Sequence, residues 1–152
     1  MKNILITSAG RRVELVESFK EESGKIDRDL KVICTDLHPD LSPACQVSHL
    51  HFRAPRVTSR KYISFLKQTC AANSIALIVP TIDTELLILS EYREEFLKLG
   101  VNIIISDTSL IQACRNKNHT ADFLHNIEIE TPAIYNVNNL NYPCFVKPYD
   151  GS

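Results

Sequence analysis

The sequence predicts an α/β fold built on a parallel sheet. Short apolar runs alternate with segments whose apolar residues recur at helical spacing, and this alternation is typical of successive strand–helix units. The chain has 152 residues, of which 44% are hydrophobic and 23% charged, so it can bury the core of one main domain. No segment repeats internally, and we expect a single series of such units.

In the first half of the chain, each apolar run is followed by an amphipathic segment or a loop. Residues 36–55 contain three prolines and show no clear period, which predicts a surface loop with one short strand around His51. The predicted order is a strand over 4–7, a helix with apolar positions at 13–19 that Gly24 ends, a strand over 30–35, the loop, and a helix capped by Ser59 that extends through Cys70.

The second half continues the alternation. A strand over 75–80 leads into the polar segment 81–85 and a helix that ends at Gly100, and residues 101–105 form the next strand. Two short helices follow, one capped by Asp107 and the other running from about Asn116 to Asn126. The composition then becomes polar, and residues 144–147 are predicted as the first strand of a further unit.

Charge and composition exclude several classes of function. The formal net charge is −1 and the basic residues are scattered, so we expect neither nucleic acid nor an anionic membrane surface as a partner. The opening apolar run is too short for a signal peptide or a membrane span, which favours the cytoplasm. The five cysteines form no C-x-x-C pair and are predicted to be reduced and mostly buried, and the five histidines show no zinc-binding spacing.

Ligands of an open parallel sheet bind outside the carboxyl ends of the strands, and three polar segments fall there. In the first, a turn at Gly10 meets a helix start that carries Arg11 and Arg12, a combination suited to an anion. Equally, Gly10 can simply make the turn while the two arginines are solvated. Only one glycine of the G-x-G-x-x-G fingerprint is present, so this is not a dinucleotide site.

The other two segments carry acids. Asp36 ends the second strand, and we expect it to be a structural cap or a substrate contact. Thr81, Asp83 and Glu85 follow the strand over 75–80 at a helix start, where they can hold an ammonium or hydroxyl group. The favoured interpretation is that Asp83 caps the helix and Glu85 lies near its positive end, with a ligand role possible in addition.

Two lysines are candidates for phosphate binding. Lys117 lies at a predicted helix start, and Lys147 ends an apolar strand just before Asp150-Gly151-Ser152. A strand that delivers one lysine beside a turn rich in Gly and Ser can hold a nucleotide phosphate, because backbone N–H groups and an ammonium converge on the anion.

Four segments in this order resemble the N-terminal portion of ATP-grasp enzymes, most closely the carbamoyl-phosphate-synthase-large-chain-like proteins; they are residues 2–13, 79–86, 116–117 and 142–148. The resemblance implies an α/β, Rossmann-like open parallel sheet with helices on both faces. It also implies three parts: a pre-ATP-grasp domain over 1–115, a linker helix and connector over 116–140, and the first strand of a truncated ATP-grasp domain over 141–152.

The resemblance further implies a ligase that joins a small-molecule carboxylate to an amine or similar nucleophile through an acyl-phosphate made from ATP. Lys117 and Lys147 would contact ATP phosphates, while Gly10, Arg11, Asp36 and residues Thr81, Asp83 and Glu85 would border the acceptor substrate. ATP and Mg²⁺ would be the cofactors of the full-length protein, with the magnesium ligands beyond this chain. We therefore expect no metal site here, weak ATP binding and no turnover by the chain alone.

Two other hypotheses stay open. One is a stand-alone Rossmann-like module that binds a small anion through Gly10, Arg11 and Arg12 without catalysis. The other is a structural domain that only dimerises or covers a neighbouring domain, since a fold by itself does not define a function. A homodimer is compatible with any of the three hypotheses.

Overall fold

The computed structural model describes residues 2–148. The chain divides into two compact units, Met1–Ile105 and Ser106–Ser152, which we describe separately. The three-part division at residues 115 and 140 remains a prediction. The turn at Asp150-Gly151-Ser152, expected to approach a phosphate, lies outside the described residues.

The first unit contains a five-stranded sheet in which every strand pair is parallel. Its order is β3-β2-β1-β4-β5, with β1 at the centre. The strands are β1 (Asn3–Thr7), β2 (Val32–Asp36), β3 (Leu50–Arg53), β4 (Ile75–Pro80) and β5 (Asn102–Ile103). This order is that of a doubly wound α/β sheet, which confirms the predicted fold class. All carboxyl ends lie at one edge, and the chain changes direction across the sheet between β1 and β4.

Helices pack on both faces of the sheet because successive strand residues point to opposite sides. Leu5 and Ile33 belong to one buried cluster with Tyr62, whereas Ile6 and Cys34 belong to a second cluster. The helices of this unit are α1 (Val13–Ile26), α2 (Pro43–Val47), α3 (Tyr62–Ala72), α4 (Asp83–Glu91) and α5 (Arg93–Lys98). Helices α1 and α2 contribute to the second cluster, and α3, α4 and α5 to the first.

Two predicted helix ends are wrong. Helix α1 continues past Gly24 to Ile26, because the extended conformation of Asp27 ends it and no left-handed glycine is required. Helix α3 begins at Tyr62 with Lys61 at the N-cap, so Ser59 is not its cap. Ser59 instead belongs to the turn before the helix, where its carbonyl accepts the N–H of Tyr62 at 2.9 Å.

Further differences in this unit concern interruptions that the apolar pattern does not show. The helix expected up to Gly100 is divided at Tyr92 into α4 and α5, while Gly100 does follow the end with a φ of 76°. The loop over 36–55 contains the predicted short strand as β3 and also the unpredicted α2. Ser42 caps α2 by accepting the N–H of Cys45, and Pro43 stands at its first position.

The described cysteines are free, as expected. Cys34, Cys45 and Cys70 are buried, Cys114 is exposed and Cys144 is half-buried. Burial raises the pKa of the Cys70 thiol to about 12, so this group is an unreactive core side chain at neutral pH. Among the described residues, no helix has the length and apolarity needed to cross a membrane.

His49 makes the junction between β2 and β3 sensitive to pH. Its Nδ1 accepts the N–H of Val32 at 2.9 Å, and partial desolvation of this otherwise exposed side chain, followed by the charge of Lys20, lowers the pKa of His49. The unfolded chain therefore binds a proton at this residue more readily than the folded chain does. Its contribution to stability is present above the ordinary histidine pKa of about 6.5 and is lost as the pH falls toward the lower folded value.

We expect urea unfolding to show a smaller loss of stability between about pH 7.5 and about pH 5.5 in His49→Asn than in the unchanged chain. The asparagine carboxamide oxygen can accept the Val32 N–H without titrating. An NMR titration of the unchanged chain should also place the His49 pKa below that of a solvated histidine. Equal pH dependence of the two proteins would contradict this assignment.

The second unit contains α6 (Thr108–Arg115) and α7 (Lys117–Asn126), close to the two short helices predicted. Asp107 occupies the N-cap of α6, and the side chain of Asn116 caps α7 by accepting the N–H groups of Asn118 and His119. The described residues after α7 form no strand, and the strand expected over 144–147 as the start of a further domain remains a prediction. An extended segment becomes a strand only beside a hydrogen-bonding neighbour, and the Phe145 side chain is 93% exposed.

Candidate functional site

The loops that follow β1 and β4 meet at the carboxyl edge of the sheet. The Thr81 hydroxyl donates to the carbonyl of Thr7 at 2.9 Å and to that of Ser8 at 2.7 Å. These bonds join the segment after β4 to the end of β1, where the direction of the sheet reverses. In open α/β sheets the crevice for a ligand forms at this reversal point.

The turn between β1 and α1 has an unusual backbone. Ser8 and Gly10 both lie in the left-handed region, with φ angles of 50° and 53°. The Gly10 carbonyl accepts the Ser42 hydroxyl at 2.8 Å and the Ala44 N–H at 3.2 Å, which fixes the turn to α2. The sequence correctly predicts a turn at Gly10, whereas the role of Ser42 was not predicted.

Asp36 acts on the same turn through its carboxylate. One oxygen accepts the N–H of Gly10 and the other accepts the N–H of His38, both at 2.9 Å. The Asp36 side chain is half-buried at the end of β2. Both oxygens therefore already bind backbone groups, which is the structural role that the sequence offered as one of two possibilities.

Glu85 is fully buried, with 0% of its surface exposed. Its Oε2 accepts the Thr7 hydroxyl at 2.6 Å, and its Oε1 accepts the Tyr62 hydroxyl at 2.6 Å as well as the Ser8 hydroxyl. The three donors come from β1, from the turn after it and from α3. The carboxylate thus connects three segments at the edge of the sheet. Tyr62 is a member of the site that the sequence did not predict.

The electrostatic effect of Glu85 is visible on Tyr62. Burial first, and then the negative charge of Glu85, raise the pKa of Tyr62 well above its usual value. The phenol is consequently kept protonated, and it stays available as a hydrogen-bond donor to the carboxylate.

Asp83 does not cap α4, contrary to the sequence-based expectation. The N-cap is Ile82, which is extended and makes no side-chain cap bond, and Asp83 is the first helical residue. Its side chain is exposed. Because Ile82 is the last extended residue and occupies the N-cap, Asp83 already lies inside the helix, one position past the cap. Glu85 does lie in the first turn, near the positive end of the helix as predicted.

The two arginines of the first segment lie at the start of α1. Arg12 occupies the N-cap, and both Arg11 and Arg12 are exposed. They add positive charge to a helix N-terminus, a position that favours anions. Their solvent exposure is compatible with either interpretation that the sequence left open.

The lysines assigned to ATP phosphates belong to the second unit. Lys117 is half-buried at the first position of α7, and Lys147 is exposed in a segment without regular structure. Over residues 2–148, no group of three or more His, Cys, Asp and Glu side chains is placed to hold a metal ion.

Gly10→Ala should destabilise the chain by about 1–2 kcal/mol, because a Cβ disfavours the left-handed backbone that the turn requires. Space is not the obstacle: the nearest atoms to that Cβ would be Arg12 Nη1 at 3.5 Å and the Ser8 carbonyl oxygen at 3.7 Å. Gly24→Ala is the matched control, since Gly24 lies inside α1 and should gain stability slightly. Urea unfolding measures both changes, and equal effects at the two glycines would contradict the prediction.

The family model described as "PylC-like, N-terminal domain" matches residues 4–104, which are about two thirds of the chain. The chain belongs to this family. The PylC-like N-terminal domain thus coincides with the five-stranded sheet and its helices, and the loops that follow β1, β2, β3 and β4 fall within it. A comparison with curated protein sequences gave no match.

Solved structures share the fold of the PylC-like domain. An L-amino acid ligase from Bacillus licheniformis is 18% identical with a TM-score of 0.66, over 99% of this chain and 38% of the ligase. The biotin carboxylase domain of a single-chain bacterial carboxylase is 11% identical with a TM-score of 0.58, over 94% and 32% of the two chains. A biotin carboxylase domain from Hydrogenobacter thermophilus 2-oxoglutarate carboxylase, determined with MgADP and bicarbonate, has a TM-score of 0.60 at 10% identity over 86% and 28%.

These similarities confirm that the chain resembles the N-terminal, pre-ATP-grasp part of ATP-grasp ligases. The chain spans about two fifths of the length of the L-amino acid ligase and less of the carboxylases. At such identities the comparison establishes the fold, and it assigns no substrate to Gly10, Arg11 or the acids around them.

Proposed function

We propose that this chain forms the acceptor-substrate side of an ATP-dependent ligase that joins a small carboxylate to an amine through an acyl-phosphate. The observation that supports it is the pair of connected loops between β1 and β4, at the reversal point of the sheet. Membership of the PylC-like family and the fold shared with the L-amino acid ligase support this class of reaction. Small-molecule carboxylates and amines are the proposed partners.

Within this proposal, the residues at the edge divide by exposure. Arg11 and Arg12 are exposed, so their guanidinium groups can meet the carboxylate of an incoming substrate at the positive end of α1. Thr81 and Asp36 hold the surrounding backbone. Lys117 and Lys147 are assigned to ATP phosphates by the family resemblance, and cofactor binding and catalysis belong to the ligase as a whole.

The test is to express the complete reading frame that contains this chain and to measure ADP release with MgATP and a panel of paired L-amino acids. We expect ADP release to depend on an amino acid pair, and the 152-residue chain by itself to release none. Micromolar binding of MgATP to the 152-residue chain would overturn the proposal that this chain contributes the acceptor-substrate side and that ATP binding needs the whole ligase. The absence of ADP release with every pair, from a folded product, would overturn the ligase proposal.

Two substitutions distinguish the ligase from a stand-alone anion-binding module. In the ligase, Lys147→Ala should reduce ADP release by about 10²–10³-fold, the usual effect of losing one electrostatic contact to the reacting phosphate. In a binding module, Arg11→Ala weakens anion binding while Lys147→Ala has no effect. The module is the second candidate because the exposed arginines are accessible to a free anion as well, and titration of both variants with a short dicarboxylate separates the two proposals.

A further inference from the structure

We infer that Glu85 is a positioning residue that fixes the turn between β1 and α1 through Ser8, and that it is not itself a contact for the substrate. The role of that turn in binding a substrate rests on the proposed function. The hydrogen bonds of Glu85 do not depend on that proposal. Glu85 is fully buried, and its two oxygens already accept three hydroxyl groups.

The bond from Ser8 is the one that controls the turn. Ser8 follows the last residue of β1 and has a φ of 50°, a conformation that a non-glycine residue adopts only when surrounding contacts hold it. The Ser8 hydroxyl donates to Glu85 and its carbonyl accepts the hydroxyl of Thr81. Ser8 is therefore held from the side of α4 at both its side chain and its backbone.

The residues that follow Ser8 in the turn make further backbone hydrogen bonds. Ala9 donates its N–H to the Thr35 carbonyl at 3.0 Å, Gly10 donates to Asp36 at 2.9 Å, and Arg12 donates to the Ala9 carbonyl at 3.0 Å. These bonds set where α1 begins and hence where Arg11 and Arg12 stand. Loss of the hydrogen bond from the Ser8 hydroxyl should weaken these hydrogen bonds of the turn, while the strands on either side remain paired.

The structure provides a matched pair of variants to test this. Ser8 and Tyr62 both donate a hydroxyl to the same atom, Oε1 of Glu85, but Ser8 belongs to the turn and Tyr62 to α3. Ser8→Ala and Tyr62→Phe each remove one donor to that oxygen. A purely structural role for Glu85 predicts similar consequences for the two variants, whereas a positioning role predicts a local effect of Ser8→Ala only.

Amide hydrogen exchange of the 152-residue chain, followed by NMR, is the measurement. The amides of Ala9 and Gly10 are compared with that of Ile4, which donates to the Lys31 carbonyl and reports on the sheet. We expect Ser8→Ala and Glu85→Gln to accelerate exchange at Ala9 and Gly10 about tenfold or more relative to Ile4. Tyr62→Phe should change that ratio less than about threefold.

Two results would overturn the inference: unchanged exchange at Ala9 and Gly10 in Ser8→Ala, or an equal local acceleration in Tyr62→Phe. If Glu85→Gln fails to fold, the Ser8 and Tyr62 variants still decide the question. The exchange measurement needs no substrate, so loosening of the turn without ligase activity would leave the positioning role intact and remove only the proposed function.

Discussion

Glu85→Ala should lower the free energy of unfolding by about 2–4 kcal/mol. The substitution removes the acceptor for three hydroxyl groups, two of which, from Thr7 and Tyr62, are themselves buried. A buried donor left without a partner costs the free energy of its lost hydration, and hydrogen bonds to a charged acceptor are stronger than neutral ones. Urea unfolding followed by circular dichroism measures the loss.

Asp83→Ala is the matched control for this prediction. Asp83 lies two positions earlier on the same helix, carries the same charge and is exposed, so its removal should change stability by less than about 0.5 kcal/mol. The sequence pattern gives these two acids equal standing, and only their burial separates them. Equal losses in the two variants would contradict the role assigned to the Glu85 carboxylate.

Phe96→Ala should be still more damaging, with a loss of about 3–5 kcal/mol. Phe96 lies in α5 with 0% of its surface exposed, in the larger buried cluster together with Leu89 and Val101. The Nζ of Lys67 also stands 5.9 Å from the centre of its ring. Truncation removes buried apolar surface and leaves a cavity, and both effects lower stability.

The control on the same helix is Leu97→Ala. Leu97 follows Phe96 directly and is 55% exposed, so its truncation should cost less than about 1 kcal/mol. Both variants are compared by the urea concentration at the midpoint of unfolding. Phe96→Ala should lower this midpoint without changing the hydrogen bonds at the carboxyl edge of the sheet. A loss at Leu97 as large as that at Phe96 would show that α5 packs differently from the arrangement described.

The sequence predicts the number, type and order of the strands well, because buried strands appear as short apolar runs between polar turns. It predicts helix boundaries less well. The division at Tyr92 and the continuation of α1 past Gly24 depend on local backbone conformation, which the apolar pattern does not show. The predicted strand over 144–147 remains a prediction, because strand formation depends on a hydrogen-bonding neighbour that an apolar run does not reveal.

The candidate site shows more clearly which features a sequence pattern does not reveal. The sequence places Gly10, Asp36 and Thr81 at the carboxyl edge, since each follows a predicted strand, and the structure brings them together there. It could not assign the three donors of Glu85. Tyr62 lies 23 positions away along the chain and at an apolar position of its helix, so only folding shows that its hydroxyl reaches the carboxylate.

The sequence by itself determined the parallel α/β sheet and which segments lie at its carboxyl edge, because the period of apolar residues and the positions of strand ends are local properties of the chain. Only the tertiary structure decided which polar residues at that edge face solvent and which are used inside the protein. Arg11 and Asp83 are exposed, whereas Glu85 is buried. Burial depends on residues that are distant in sequence and adjacent in space, and it gives two acids in one short segment opposite roles.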